Sequence, residues 1–386
     1  MGPPSTAGRI GRVALPAPIE ITHATIPDRS TFLGATGFED RALSTLEWLA
    51  QQSKKLNRAF LISYNPASGP NRVAEMARMA RAVTQSTIDP YSFEFKRFSS
   101  SSYLALETLW RKVEKSGGDV IVDISGMSKF LILGILWAAR RTPRRVIITY
   151  FRPAVYHPTE TEFKASSESP SGQFEPFILR GGAPYVLTSP WLSSARSTEQ
   201  PVFLIAFPNF DSELITEAID ELTPESILLL GPGTDSEPWW RDAIKEVNRN
   251  VYQSSSFLNK EFDATMIHDY RPTVYRLLDA YEAKGLTHRV VIAPTGSKMQ
   301  AVGTFLFKVI RADAEIIYPA PVGHNPLSTE GVGLGATVDL GPSFGDALES
   351  LRQIRREEMS DVSMRFRQRA TALASVGRHA SNQDSD

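Results

Sequence analysis

Residues 119–142, DVIVDISGMSKFLILGILWAARRT, and residues 289–312, RVVIAPTGSKMQAVGTFLFKVIRA, state one pattern twice. Each opens on an apolar run, turns through a hydroxyl–Gly–Ser–Lys motif, and continues into a long apolar stretch of helical composition. A near-continuous apolar strand such as Val120–Ile124 suits a parallel sheet covered on both faces. The turns carry Ser125, Gly126, Ser128 and Lys129 in the first copy, and Thr295, Gly296, Ser297 and Lys298 in the second. A strand–turn–helix repeated this far along the chain implies an α/β unit of about 150 residues present twice.

Outward from these two stretches, the pattern predicts strands at 31–35, 58–64, 91–98, 119–124 and 145–151 in the first unit. Helices are expected at 39–52, 71–83, 103–115 and 129–140. The second unit repeats the rhythm, with strands at 202–207, 226–230, 263–268, 289–293 and 315–318 and helices at 212–222, 237–248, 270–284 and 299–312. The opening segments also match loosely, FLGATGFEDRALSTLEWL against FLIAFPNFDSELITEAIDEL. Strands alternating with helices imply α/β units with mostly parallel sheets. The expected boundaries are a flexible lead-in at 1–29, a first unit at 30–176 and a second at 177–343. A C-terminal helix and disordered tail follow at 344–386. Residues 157–176, HPTETEFKASSESPSGQFEP, read as an exposed loop, and Trp191 as a core plug.

Composition narrows the function. The chain has 386 residues, 42% hydrophobic and 22% charged, enough for two domains with real cores. A net charge of −1 argues against nucleic acid or an anionic membrane as the main partner. The absence of cysteine removes disulfides, thiolate metal sites and cysteine nucleophiles. None of the six histidines pair at i, i+4, so no metal site is expected. Neither G-x-x-x-x-G-K-[ST] nor G-x-G-x-x-G occurs, and no cofactor is assigned. The apolar window 130–139 stops at Arg140 and Arg141, too soon to span a bilayer, and no signal peptide stands out. A cytoplasmic protein is expected.

Ligands of a parallel sheet gather at the carboxyl ends of its strands, where helix N-termini offer unpaired N–H groups and partial positive charge to phosphate. Both Gly-Ser-Lys turns fall there. The local alternative is that glycine makes the turn, serine caps the helix and lysine is solvated. Duplication at matching positions favours a ligand site. A second candidate is Thr36-Gly37-Phe38-Glu39-Asp40-Arg41, with Thr36 and Gly37 at a ligand and the two acids orienting a ribose or capping the helix. Its counterpart at 207–212 offers Asn209 and Asp211. A third is His324, in the loop after the last strand of unit two, echoing His157 after the last strand of unit one. No Ser-His-Asp or paired-carboxylate motif stands out, so no catalytic residue is assigned.

The stretch Asp123-Ile-Ser-Gly-Met-Ser-Lys129 resembles the signature of the CARF superfamily, the Rossmann-like domains found with CRISPR systems. Pro294-Thr-Gly-Ser-Lys298 is similar to the Thr-Gly-Gly-Thr-Lys form of that turn, and the loops at Thr36–Glu39 and Phe207–Asp211 stand where the family's other ligand loop would be. Two such units in one chain also resemble SAVED domains, fused CARF pairs of cyclic-oligonucleotide antiphage systems. The resemblance covers residues 30–325, with Ala293-Pro294 departing from the pattern where an acid would stand. It implies tandem Rossmann-like units that bind a cyclic oligonucleotide second messenger. With no recognisable effector domain, output would pass to a partner effector protein, or through a homo-oligomer formed by the C-terminal helix. Two alternatives stand beside this sensor. One is a phosphodiesterase that cleaves the bound nucleotide; the other is a ligand-free scaffold subunit of a defence complex.

Overall fold

The computed structural model describes residues 15–37, 39–65, 72–84, 87–94, 100–167, 179–180, 185–194, 199–254, 256–325 and 327–353. In the first lobe five parallel strands lie in the order Ile88–Glu94, Arg58–Asn65, Thr31–Ala35, Val120–Asp123, Val146–Phe151. The second lobe has the same order: Asn259–Thr265, Ser226–Pro232, Val202–Ala206, Arg289–Ala293, Glu315–Ile316. In each, the chain builds outward from a central strand, then crosses to its other side. The strand order therefore reverses between Thr31–Ala35 and Val120–Asp123 in one lobe, and between Val202–Ala206 and Arg289–Ala293 in the other. Two tandem Rossmann-like units with mostly parallel sheets are thus present.

The strands form because their apolar residues are buried on both faces. All positions of Val120–Asp123, Val146–Phe151 and Val202–Ala206 are enclosed. The helices that follow the Gly-Ser-Lys turns, Lys129–Ala139 and Lys298–Ile310, are apolar nearly all round, as buried helices are. They pack on each other, and a single apolar cluster runs through both lobes, from Phe60 and Val122 to Ile292 and Phe305. Each carries a glycine five residues beyond its lysine. A Cβ at Gly134 would lie 2.6 Å from Leu106 Cδ1, and one at Gly303 2.6 Å from the Tyr270 carbonyl. Both glycines let the helix approach the preceding helix of its own lobe, so the repeat extends to packing detail. Trp191 joins this core, stacked between Tyr103 and Trp137 at 5.9 and 5.8 Å.

Three segments depart from the sequence reading. Residues 335–339, assigned to the second unit, form a strand antiparallel to Val146–Phe151 and extend the first lobe's sheet. Arg145 bonds Asp339 there, at 2.9 and 2.6 Å. Within the lead-in, Ile19–Glu20 pairs with this returning strand, Leu15, Ile21 and Ile26 are buried, and Tyr270 of the second lobe donates to the Pro16 carbonyl at 2.7 Å. Residues 1–14 lie outside the described residues. The expected loop at 157–176 contains the helix Glu160–Ser167. Its signal was a capping box: the Thr159 hydroxyl accepts from the Glu162 N–H, and the Glu162 carboxylate accepts from the Thr159 N–H.

The C-terminal helix is described from 344 to 353. Phe344, Leu348 and Leu351 enter the shared core, and Phe344 stacks on Phe305 with ring centroids 6.3 Å apart. The remainder of that expected helix, with Arg355, Arg356, Arg365, Arg367 and Arg369, lies outside the described residues. Replacing Phe344 with Ala should empty a buried site and destabilise the protein by about 3–5 kcal/mol, read as a lowered urea midpoint.

Candidate functional site

At the two reversal points the lobes face each other across a cavity of about 290 Å³, close to the lower end of small-molecule sites at ~300 Å³. Thr36, Gly37, Gly126, Ser128 and Lys129 line it from the first lobe; Asn209, Thr295, Gly296, Ser297 and Lys298 line it from the second. The turns are held close by absent side chains. A Cβ on Gly126 would lie 2.1 Å from the Ala35 carbonyl oxygen, so only glycine lets the two first-lobe loops touch.

Most of the hydroxyls in these turns hold the turns together. Ser128 caps its helix by accepting from the Leu131 N–H at 3.2 Å. Ser297 forms a capping box with Gln300 and donates to the Ile267 carbonyl at 2.6 Å. Thr295 donates to the Phe207 carbonyl at 2.7 Å, and Thr36 to that of Ile62 at 3.2 Å. The Asn209 amide bridges to the Thr295 carbonyl at 3.0 Å. Ser125 lies behind the wall, fully buried, its Oγ accepting from the Phe151 N–H at 2.9 Å. The backbone of His324 pairs with Leu179, and its side chain lies outside the described residues.

The lysines behave differently. Lys129 lines the cavity, and its ammonium group forms no hydrogen bond or salt bridge with a described residue. Lys298 donates to the Ser125 carbonyl and to Glu39 Oε2, at 3.2 Å for the latter, so it reaches across to the first lobe. Burial pushes both ammonium groups down to about 8; Arg41 adds to this at both, and Glu39 opposes it. Arg41, noted in the sequence without a role, is the third cation. It is 5% exposed and donates to Glu39 at 2.6 Å, to the Tyr150 hydroxyl at 3.1 Å and to the Phe151 carbonyl at 3.2 Å. Burial would lift the Glu39 carboxyl, but Arg41 and Lys298 outweigh it and hold the group well below the usual carboxylate range. Three cations against one carboxylate give the cavity lining a net positive charge.

One wall is aromatic. Tyr156, Phe210 and Trp240 line it, with Trp240 edge-to-face against Tyr156 at 5.2 Å and against Phe210 at 5.6 Å. Trp240 carried no sequence signal beyond its place in a helix, because only the fold brings the loop after Ser226–Pro232 to the cavity. Phe38 lies outside the described residues. Among the described residues, no group of three or more His, Asp or Glu side chains is placed to hold a metal ion, and no helix is long and apolar enough to cross a membrane.

No protein-family model matches the chain, and no curated protein matches it. Among solved structures it is similar to a Type III CRISPR defence DNA nuclease activated by cyclic oligoadenylate. The TM-score is 0.43 and the identity 12%, over 75% of this chain and 65% of that one, just under two thirds of the nuclease's length.

Two outcomes follow from this geometry. Gly126→Ala should drive the first-lobe loops apart and cost about 1–3 kcal/mol, measured by thermal unfolding. The lysines set a pH signature. Their unfolded value is near 10.5, so between about pH 8 and 10.5 the unfolded chain binds more protons than the folded one. In that window the lysines' contribution to stability should rise with pH, while affinity for an anion falls. An anion added at pH 8.5 should bring proton uptake, seen as a buffer-dependent calorimetric enthalpy.

Proposed function

We propose that this protein is a sensor that binds a phosphate-bearing nucleotide between its two lobes. The observation that carries this reading is that Lys129 and Lys298, equivalent in the two repeats, end in one cavity beside a buried arginine and an aromatic wall. Partly desolvated cations are strong partners for phosphate, because a low local dielectric magnifies the attraction. Aromatic faces accept a nucleobase by stacking, at about 1–3 kcal/mol per base. The two features side by side match the two halves of a nucleotide.

On this reading Lys129 and Lys298 hold phosphate, one from each lobe, with the backbone of Gly126 and Gly296 allowing close approach. Thr36, Gly37 and Asn209 border the ligand, and Tyr156 and Trp240 face the base. The resemblance of Asp123–Lys129 and Pro294–Lys298 to the CARF turn puts a cyclic oligonucleotide first among candidates, and prokaryotic antiphage defence as the setting. Output passes through the chain beyond the cavity to a partner effector, since the first turns of the C-terminal helix already bury Phe344, Leu348 and Leu351 in the protein's own core.

The test is thermal stability against a panel of nucleotides that includes cyclic di-, tri- and tetranucleotides, for the wild type, Lys129→Glu and Lys298→Glu. A ligand at a hundred times its dissociation constant should stabilise the wild type by about 2.7 kcal/mol. Both variants should lose the shift. Absence of a shift with every nucleotide would exclude the sensor.

A further inference from the structure

The cavity already contains an anion of its own. Glu39 lines it and touches three parts of the molecule. Oε1 accepts from Arg41 of the first lobe at 2.6 Å and from the Thr329 hydroxyl at 2.9 Å; Oε2 accepts from Lys298 of the second lobe at 3.2 Å. Its side chain is 13% exposed, and the remaining surface faces the cavity. Thr329 belongs to a strap that leaves the second lobe at Tyr318–Ala320 and passes the cavity through Pro321, Val322 and Ser328. It pairs with Val155–Tyr156 at Thr329–Glu330 and continues into the returning strand Gly335–Asp339 and the C-terminal helix.

A carboxylate that only neutralised a buried arginine would need Arg41 alone. Glu39 instead also meets a lysine from the opposite lobe and a hydroxyl from the strap. Lys298 keeps a second partner in the Ser125 carbonyl, and Arg41 keeps Tyr150 and Phe151, so both cations would retain hydrogen-bond acceptors if the carboxylate moved aside. A phosphate brought to Lys298 and Lys129 would meet Glu39 as a like charge in a partly desolvated space, where repulsion is strong.

We propose that Glu39 is a resident anion whose place at Lys298 is taken by the ligand's phosphate, and that its departure releases Thr329 and the strap. The inference rests on the anion-binding reading of the cavity. It makes Glu39 a threshold, admitting only ligands with enough phosphate charge to displace a carboxylate. It also gives binding a mechanical consequence, since the strap continues through the strand Gly335–Asp339 into the C-terminal segment.

The probe is inorganic pyrophosphate, titrated into the wild type and Glu39→Gln with thermal midpoint as readout; comparison at equal concentration cancels general salt effects. Glu39→Gln should bind pyrophosphate about tenfold more tightly, equivalent to about 1.4 kcal/mol. A second measurement, hydrogen exchange across residues 327–334, covers the case in which Glu39→Gln fails to fold. Pyrophosphate should speed exchange there in the wild type, and Thr329→Val should do so without it. Equal or weaker binding by a folded Glu39→Gln overturns the threshold. Exchange that is unchanged or slowed by pyrophosphate overturns the release. If neither protein responds to pyrophosphate while a nucleotide still shifts the wild type, the inference alone fails. If nothing shifts either protein, the cavity is not an anion site.

Discussion

The contact between helices Lys129–Ala139 and Lys298–Ile310 is the constraint on which the molecule rests. These two helices could each have been covered by their own lobe alone. Instead they are so apolar that they bury against one another, and the cores of the two lobes merge. Burying a large aliphatic or aromatic side chain is worth about 1.5–3 kcal/mol, and the interface holds many. That driving force is large enough to carry two lysines into partial burial at the helix starts. Their lowered pKa values record the cost. The cavity is therefore a by-product of core packing, placed where two helix N-termini meet.

Rigidity in the cavity walls comes from the short polar side chains. Ser128, Ser297, Thr36, Thr295 and Asn209 are each engaged with backbone, so the loops are set before any ligand arrives. Preorganisation of this kind lowers the entropy lost on binding. The long cations do the complementary work. Arg41 is fixed by three partners, whereas Lys298 and Lys129 sit on flexible stems whose charge adapts to their surroundings.

Much of this was legible in the sequence, and the limits have physical causes. The repeat, the strand–helix alternation and the two Gly-Ser-Lys turns can be read directly, because burial on both faces and a helix start leave local signatures. Thr36, Gly37, Asn209 and the two lysines could be placed on one cavity because parallel sheets have a fixed polarity. The roles of Ser125 and of the turn hydroxyls were not legible, since a capping serine and a phosphate-binding serine occupy the same place in a sequence. The place of Trp240 in the aromatic wall and the contacts of Glu39 with Lys298 and Thr329 were not legible, because they join residues far apart in the chain, such as Tyr156 with Trp240 and Glu39 with Thr329. The return of Gly335–Asp339 to the first lobe left no trace at all. Its alternation is that of any edge strand, and nothing local names the strand it will join.

That return has a consequence for how the protein is made. The first lobe emerges first during synthesis, yet one of its sheet's partners is encoded near the far end of the chain, with Asp339 meeting Arg145 across 194 residues. Until the second lobe has been translated and docked, Val146–Phe151 has an open flank and the helix Lys129–Ala139 an uncovered face. Such non-local closure is slow, and exposed strand edges invite aggregation. The two repeats thus look like separable modules in the sequence but are a single unit of biosynthesis, complete only when the last strand is in place.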